Sequence, residues 1–257
     1  MNRTRIALSL SLFCLFLLTG LGLPGCHGQN WVSLFNGEDL EGWTVQCIPA
    51  DRDKEYWKVE EACIVCNSLG DKDHDYVWLA TDKEFSDFHL KLQFQVFRSS
   101  PGNSGVQFRS RYDNSDSARN GGWLHGPQAD IHGPAAFRTG LIYDETEQVQ
   151  RWIHPSLTDW QIAPEQAPPS ALHTRLIFFE DDPEAWNNME IFCRGMQVKT
   201  WVNGNPVTDF DASGILDDEI HRSKGSGSMG CIAFQLHSHD ELKIKFRHIL
   251  IRELQKP

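Results

Sequence analysis

The twenty residues from Gly126 to Glu145, GPQADIHGPAAFRTGLIYDE, carry Gln128, Asp130, His132, Arg138, Tyr143, Asp144 and Glu145. Carboxylates and an imidazole can accept or deliver a proton, and the amide and guanidinium can hold oxygen atoms. Gly126, Gly133, Gly140, Pro127 and Pro134 punctuate the run as turns. The stretch reads either as a polar hairpin on a solvated sheet face or as the wall of a binding cleft. A second polar group lies near the end of the chain, at Gln235 and His237-Ser238-His239. On a strand, two histidines separated by one residue share a face, a spacing that permits metal ligation. Asp130 and His132 have the same relation. These groups build one polar cluster, with metal-binding capacity, only if their strands are neighbours.

The elements that position them read as strands. Phe88 to Arg98 (FHLKLQFQVFR) is the clearest: Phe88, Leu90, Leu92, Phe94 and Val96 alternate with His89, Lys91, Gln93 and Gln95, so one face is buried. Gly105 to Arg111 runs back, with Val106 and Phe108 on one face and Gln107, Arg109 and Arg111 on the other. Tyr56–Val59 and Ala62–Cys66 form a hairpin, as do 185–193 and 197–202. Val77–Thr81, Met229–Leu236 and Leu242–Leu254 are further strands. In the last, Ile244, Phe246, His248 and Leu250 are expected on one face. Asn103 reads as a turn residue, Trp201 as a buried indole, 155–169 as irregular and Pro206–Ser228 as a mobile loop. About a dozen short strands with almost no helix point to an all-β, jelly-roll sandwich of two antiparallel sheets.

The 257 residues carry a formal net charge of -11 without a block of Lys or Arg. This argues against nucleic acid as a partner, because such binding needs a basic stripe. Residues 1–28 read as a secretory signal: Arg3 and Arg5 precede the apolar run Ile6–Leu23, followed by small and turn residues. Leu23-Pro24-Gly25-Cys26 resembles a lipoprotein box. The alternatives are lipidation at Cys26, plain cleavage near Gly28 or an uncleaved membrane anchor. Residues 29–257 are expected to form one jelly-roll domain, exported to the periplasm or cell envelope, with membrane contact only through a lipid at Cys26. Of the seven cysteines, Cys63 and Cys66 are three apart and point to opposite strand faces, which disfavours zinc or redox chemistry. They read as structural cysteines or as part of a disulfide.

The sequence holds no phosphate loop, no Rossmann glycine pattern and no HExxH. It does resemble one family across most of its length. The matching residues begin with Leu34-Phe35-Asn36-Gly37, Gly42-Trp43 and Trp57. Asp87-Phe88-His89-Leu90, Gly102-Asn103-Ser104-Gly105-Val106-Gln107-Phe108-Arg109, Gln128-Ala129-Asp130-Ile131 and Gly140-Leu141-Ile142-Tyr143-Asp144-Glu145 follow. Trp186-Asn187, Trp201-Val202-Asn203-Gly204, Gly230 to His237 and the strand through Leu254 complete them. Their order resembles the 3-keto-glycoside 1,2-lyase and 3-keto-2-hydroxy-glucal hydratase family. Thr146–Arg151 departs from the Gly/Arg-rich continuation of that family.

The resemblance implies a concanavalin-like jelly roll acting on 3-keto-glucosides, with no organic cofactor. A C3 ketone acidifies the C2 hydrogen, so a base can remove it and the C1 oxygen can leave by elimination. Hydration of the resulting enone completes a net hydrolysis. In that scheme Asp130 or His237 is the base, or a ligand of a divalent metal that polarises the substrate. Arg109 and Gln128 hold sugar oxygens or the enolate. Gln235 orients His237 or binds a hydroxyl. Tyr143, Asp144 and Glu145 supply the acid or fix the sugar. His132 and Arg138 fall to loop roles. The competing reading is a non-catalytic carbohydrate-binding module, with Trp123, Trp152 and Trp160 as stacking platforms.

Overall fold

A computed structural model describes residues 30–255. The signal segment, with Cys14 and Cys26, lies outside the described residues. Sixteen strands follow in order: β1 (Val32–Ser33), β2 (Trp43–Cys47), β3 (Trp57–Glu60), β4 (Cys63–Asn67), β5 (Val77–Thr81), β6 (Phe88–Val96), β7 (Asn103–Asp113) and β8 (Trp123–His125). Then come β9 (Pro127–His132), β10 (Ile142–Asp144), β11 (Arg151–His154), β12 (Asn187–Arg194), β13 (Gln197–Val202), β14 (Asn205–Asp211), β15 (Cys231–Leu236) and β16 (Lys243–Glu253). One helix, α1 (Glu219–Lys224), precedes β15.

The strands build two eight-stranded antiparallel sheets. The first runs β14-β13-β12-β6-β16-β4-β3, with β1 on β16. The second runs β11-β10-β9-β7-β15-β5-β2, with β8 on β7. The chain is therefore an all-β jelly-roll sandwich. Period-two alternation sends one set of side chains from each sheet into a shared core. Phe88, Leu90, Leu92 and Phe94 are each no more than 2% exposed, as the alternation of β6 requires. Phe246 of the first sheet stacks on Phe234 of the second, with centroids 3.9 Å apart. The opposite face of the second sheet carries the polar alternates and is the one that matters for function.

Three local readings change. In β16 the register shifts between Arg247 and Leu250, and His248 has a positive φ of 49°. This bulge turns Ile249 and Ile251 into the core in place of His248 and Leu250. Pro206–Ser228 is not one mobile loop, because it contains most of β14 and all of α1. Asp218 caps α1 by accepting from the His221 N–H, and Gly225 ends it with a φ of 66°. Finally, the five described cysteines, including Cys63 and Cys66, are buried free thiols. Burial pushes Cys193 and Cys231 up to about 12, so both remain neutral.

Among the described residues no helix is long and apolar enough to cross a membrane.

Candidate functional site

On the polar face of the second sheet, a cleft of about 390 Å³ opens over β9, β10 and the ends of β7 and β15. The volume lies within the range of small-molecule sites. Gln128 and Asp130 of β9 reach it, with Tyr143 and Glu145 at the end of β10. His237 comes from the residue after β15, and Tyr76 from the residue before β5. Strands β9 and β15 are not neighbours, since β7 lies between them. Gly105 of β7 makes the approach possible: a Cβ there would sit 2.3 Å from Cδ of Gln128. The Gln128 side chain therefore lies across Gly105, and no larger residue could underlie it.

Glu145 is 4% exposed, and its Oε1 accepts a hydrogen bond from Nε2 of Gln235 at 2.9 Å. Burial raises its pKa to about 7. The hydrogen bond from Gln235 opposes this rise, while the nearby Asp130 and Asp144 charges reinforce it. Gln235 thus orients Glu145 rather than His237. At neutral pH Glu145 is available both as acid and as carboxylate.

Nδ1 of His237 donates to the Ser238 carbonyl at 3.1 Å, since that oxygen can only accept. Nε2 then carries the lone pair and accepts from the Tyr76 hydroxyl at 2.8 Å. Burial lowers the His237 pKa, so the ring is neutral near pH 7; Asp240, 3.6 Å away, works against that shift. Burial likewise pushes the Tyr76 hydroxyl well above its ordinary value.

Asp130 is 1% exposed and receives the Arg138 Nε at 3.0 Å. Arg138 sits in the short helical turn Ala136–Arg138 and spreads over the Trp152 ring at 5.2 Å. Oε1 of Gln128, Oε1 of Gln235 and Oδ1 of Asn103 have no hydrogen-bond partner among the described residues. Buried acceptors left without donors are costly. The residues Gln128 and Asn103 line the cleft.

The structure brings Gln128, Asp130, Tyr143, Glu145 and His237 to one cleft, with Gln235 behind Glu145. Two residues leave it. Arg109 has a positive φ of 50°, and the β7–β15 register slips between Cys231 and Ala233. This bulge rotates Arg109 off the polar face and seats Ser110 opposite Cys231 instead. The fully buried guanidinium donates to the carbonyls of Ser86 (2.6 Å) and Gly195 (2.7 Å) and to Asp87 (3.1 Å). It holds loops rather than sugar. Asp144 alternates away from Tyr143 and Glu145 and is fully buried, with Oδ2 2.8 Å from Nε2 of His221. The HxH reading fails as well. β15 ends at Leu236, and His239 turns aside with a φ of 60° to meet the Lys72 carbonyl.

For a divalent ion the donor set does not fit. Asp130 is engaged by Arg138, and the free nitrogen of His237 by Tyr76. Among the described residues no group of three or more His, Cys, Asp or Glu is arranged to hold a metal.

Tyr76, Asn103, Asp240, Trp152, Trp160, His132 and Arg138 also line the cleft. The last two had fallen to loop roles, and Asn103 to a turn. Tyr76 was missed because only the β5–β15 register, which pairs Val77 with Leu236, places it beside His237. Trp123 is no platform, being 1% exposed with Nε1 donating to the Glu145 carbonyl at 2.6 Å.

His221 ties α1 to β10, directly before Glu145. Both ring nitrogens meet carboxylates, Asp144 and Asp218, each at 2.8 Å. Burial disfavours the charged ring, but these hydrogen bonds outweigh it and the pKa is raised. Its contribution to stability is therefore full below the ordinary value of about 6.5 and is lost as pH rises through the folded pKa. His221→Gln is expected to lower Tm most near pH 5–6 and progressively less at higher pH, on the order of a few degrees. A Tm deficit that grows with pH would contradict a charged His221.

Comparison with known proteins now bears on this cleft. Residues 30–252 match the model of the 3-keto-alpha-glucoside-1,2-lyase-like domain. The chain belongs to that family. No curated protein matches it. Among solved structures, a proposed glycosyl hydrolase from Parabacteroides distasonis is 18% identical with a TM-score of 0.52, covering 88% of this chain and 94% of that one. The carbohydrate-binding module CBM66 from Bacillus subtilis is 11% identical with a TM-score of 0.51, covering 82% and 96%. A Bacillus subtilis protein of unknown function with a galectin-like fold is 13% identical with a TM-score of 0.53, covering 85% and 92%. At these identities the likeness is one of fold, and it is the jelly-roll sandwich described above. Membership of the family gives the protein a carbohydrate-related function.

Proposed function

We propose that the protein cleaves 3-keto-glucosides by elimination and hydrates the 3-keto-2-hydroxy-glucal that results. The observation that carries this reading is Glu145. Its buried carboxyl is held near pKa 7 and shares one cleft with the hydrogen-bonded Tyr76–His237 pair. A site that only binds sugar has no need of a carboxyl poised between its two protonation states.

In the first step the C2–H bond breaks. Its proton passes to the Tyr76 oxygen as the Tyr76 proton moves to Nε2 of His237. The electron pair delocalises onto the C3 oxygen, and that charge is relieved as the leaving group departs. The C1–O bond then breaks, and the departing oxygen takes the proton of Glu145. This leaves an enone and an alcohol, with no net redox change. In the second step the Glu145 carboxylate removes a proton from water, the hydroxide joins C1, and the proton held by His237 returns through Tyr76 to C2. Each group ends as it began. Gln128, which lies across Gly105 on the floor of the cleft, holds sugar hydroxyls through its amide. The carboxyls of Asp130, Asp240 and Glu145 favour a neutral sugar over an anionic one.

The test is incubation with a 3-keto-disaccharide, with and without a chelator, following the enone ultraviolet band and the free 3-keto sugar. Turnover that is insensitive to the chelator is expected. Sugar binding without turnover would sink the enzyme reading. The pH profile follows from the two groups. Neutral His237 is required, so kcat/KM rises as pH climbs through a value below 6.5. Protonated Glu145 is required, so kcat/KM falls above about 7.

A further inference from the structure

We propose that Trp160, whose main chain is tied to Trp152 at the edge of the second sheet, is the subsite for the leaving group of the glycoside. We propose further that this group is a ring that presents an apolar face and carries no negative charge. The inference rests on the elimination reading and specifies its substrate.

The cleft is chemically divided. The proposed base, the Tyr76–His237 pair, sits on the β5–β15 side, and Glu145, the proposed acid for the departing oxygen, follows β10, one strand from the edge. The cleft's two indoles, Trp152 and Trp160, lie at the end where β11 is the edge strand. From β15 to β11 the sheet order counts four steps, or about 19 Å at the usual strand spacing. A single hexose ring does not span that distance, so a sugar with C2 at the Tyr76–His237 pair and C1 towards Glu145 extends its leaving group towards the β11 edge.

That end is built. Trp152 is 1% exposed and packs edge-on against Tyr143, with centroids 5.3 Å apart. Its Nε1 donates to the backbone carbonyl of Trp160 at 2.7 Å, which folds the loop after β11 back over the edge strand. Arg138 covers the Trp152 ring from the other side. Trp160 itself is 66% exposed yet lines the cleft. A lone exposed apolar side chain means little. This one is held by its main chain at the mouth of a sugar-sized cleft, with its indole still uncovered. The apolar face of a pyranose or an aryl ring would cover it. An anionic leaving group is disfavoured by the Asp130 carboxyl, which holds Arg138 beside the Trp152 ring.

The experiment compares Trp160→Ala with the unmodified protein on three 3-keto-glucosides, whose leaving groups are glucose, 4-nitrophenol and methanol. The loop anchor uses the backbone of residue 160, so the variant keeps it. KM is expected to rise about ten-fold for the two ring leaving groups, the size of one aromatic stacking contact. For the methyl glycoside it is expected to change less than about two-fold. Trp160→Phe should recover most of the loss. A rise for glucose alone assigns the subsite to pyranoses, and a rise for nitrophenol alone assigns it to aryl groups. Equal changes for all three substrates, or none, overturn the proposal. If the unmodified protein turns over none of them, the elimination reading fails by itself. The subsite is then read by the Kd of 4-nitrophenyl glucoside against methyl glucoside. An unchanged ratio in Trp160→Ala overturns the subsite as well.

Discussion

Replacing Glu145 by Gln is expected to lower kcat on 3-keto-glucosides by about 100- to 10,000-fold, the usual weight of a positioned acid–base group. The amide is isosteric, and its oxygen can still accept from Gln235, so the cleft keeps its shape. Two accompanying signs separate lost chemistry from lost structure. First, the fall of kcat/KM above about pH 7 should disappear from whatever activity remains, because the group that titrates there is gone. Second, the variant should be more stable than the unmodified protein at pH 8. The pKa of Glu145 is raised from 4.5 to about 7, so the folded state binds its proton more tightly than the unfolded chain does. The stabilisation from that proton is full below about 4.5 and is lost as pH rises through about 7. Above that, the native enzyme carries a buried charge that Gln would remove. The gain at pH 8 is expected to be on the order of 2 to 3 kcal/mol, with almost none at pH 4. Unchanged kcat with the alkaline limb intact would remove Glu145 from the mechanism.

Replacing Arg109 by Met should act on stability instead. Its guanidinium is fully buried and bridges the carbonyls of Ser86 and Gly195 to Asp87. Met fills much of the volume but leaves those acceptors without donors and Asp87 without its ion-pair partner. Breaking one side of a buried pair costs about 3 to 5 kcal/mol, or a Tm decrease of roughly 6 to 20 °C for a chain of this size. Well below that Tm, KM for the sugar should stay close to the unmodified value. A large rise in KM with unchanged Tm would return Arg109 to the sugar.

Arg109 also shows where pattern reading stops. Strict alternation along β7 puts Arg109 beside Gln107 on the polar face, as the sequence suggests. One residue in a left-handed backbone conformation breaks the alternation, and nothing in its own side chain announces that. The same device at His248 exchanges His248 and Leu250 for Ile249 and Ile251 in the core. Asp144 is the opposite case. Period two over Tyr143-Asp144-Glu145 already separates Asp144 from its neighbours, so its exclusion from the cleft was legible once β10 is taken as a strand. Tyr76, Asp240 and Asn103 were not legible. Each reaches the site through register or a loop end, which the neighbouring residues in sequence do not reveal.

Local sequence determined that the chain is an all-β sandwich, because hydrophobic alternation and turn residues act within a few positions of one another. It also marked Gln128, Asp130, Tyr143, Glu145 and His237, polar residues on strand faces or at strand ends where a cleft can form. Tertiary structure alone decided which of the polar groups meet. The placement of β7 between β9 and β15, with Gly105 leaving room for Gln128, sets Glu145 against Gln235 across ninety residues of chain. It also sets Tyr76 against His237 across one hundred and sixty-one. The raised pKa of Glu145 belongs to that assembly. Burial among partners from distant strands is the main cause that keeps this carboxyl protonated near neutral pH, with the Asp130 and Asp144 charges adding to it.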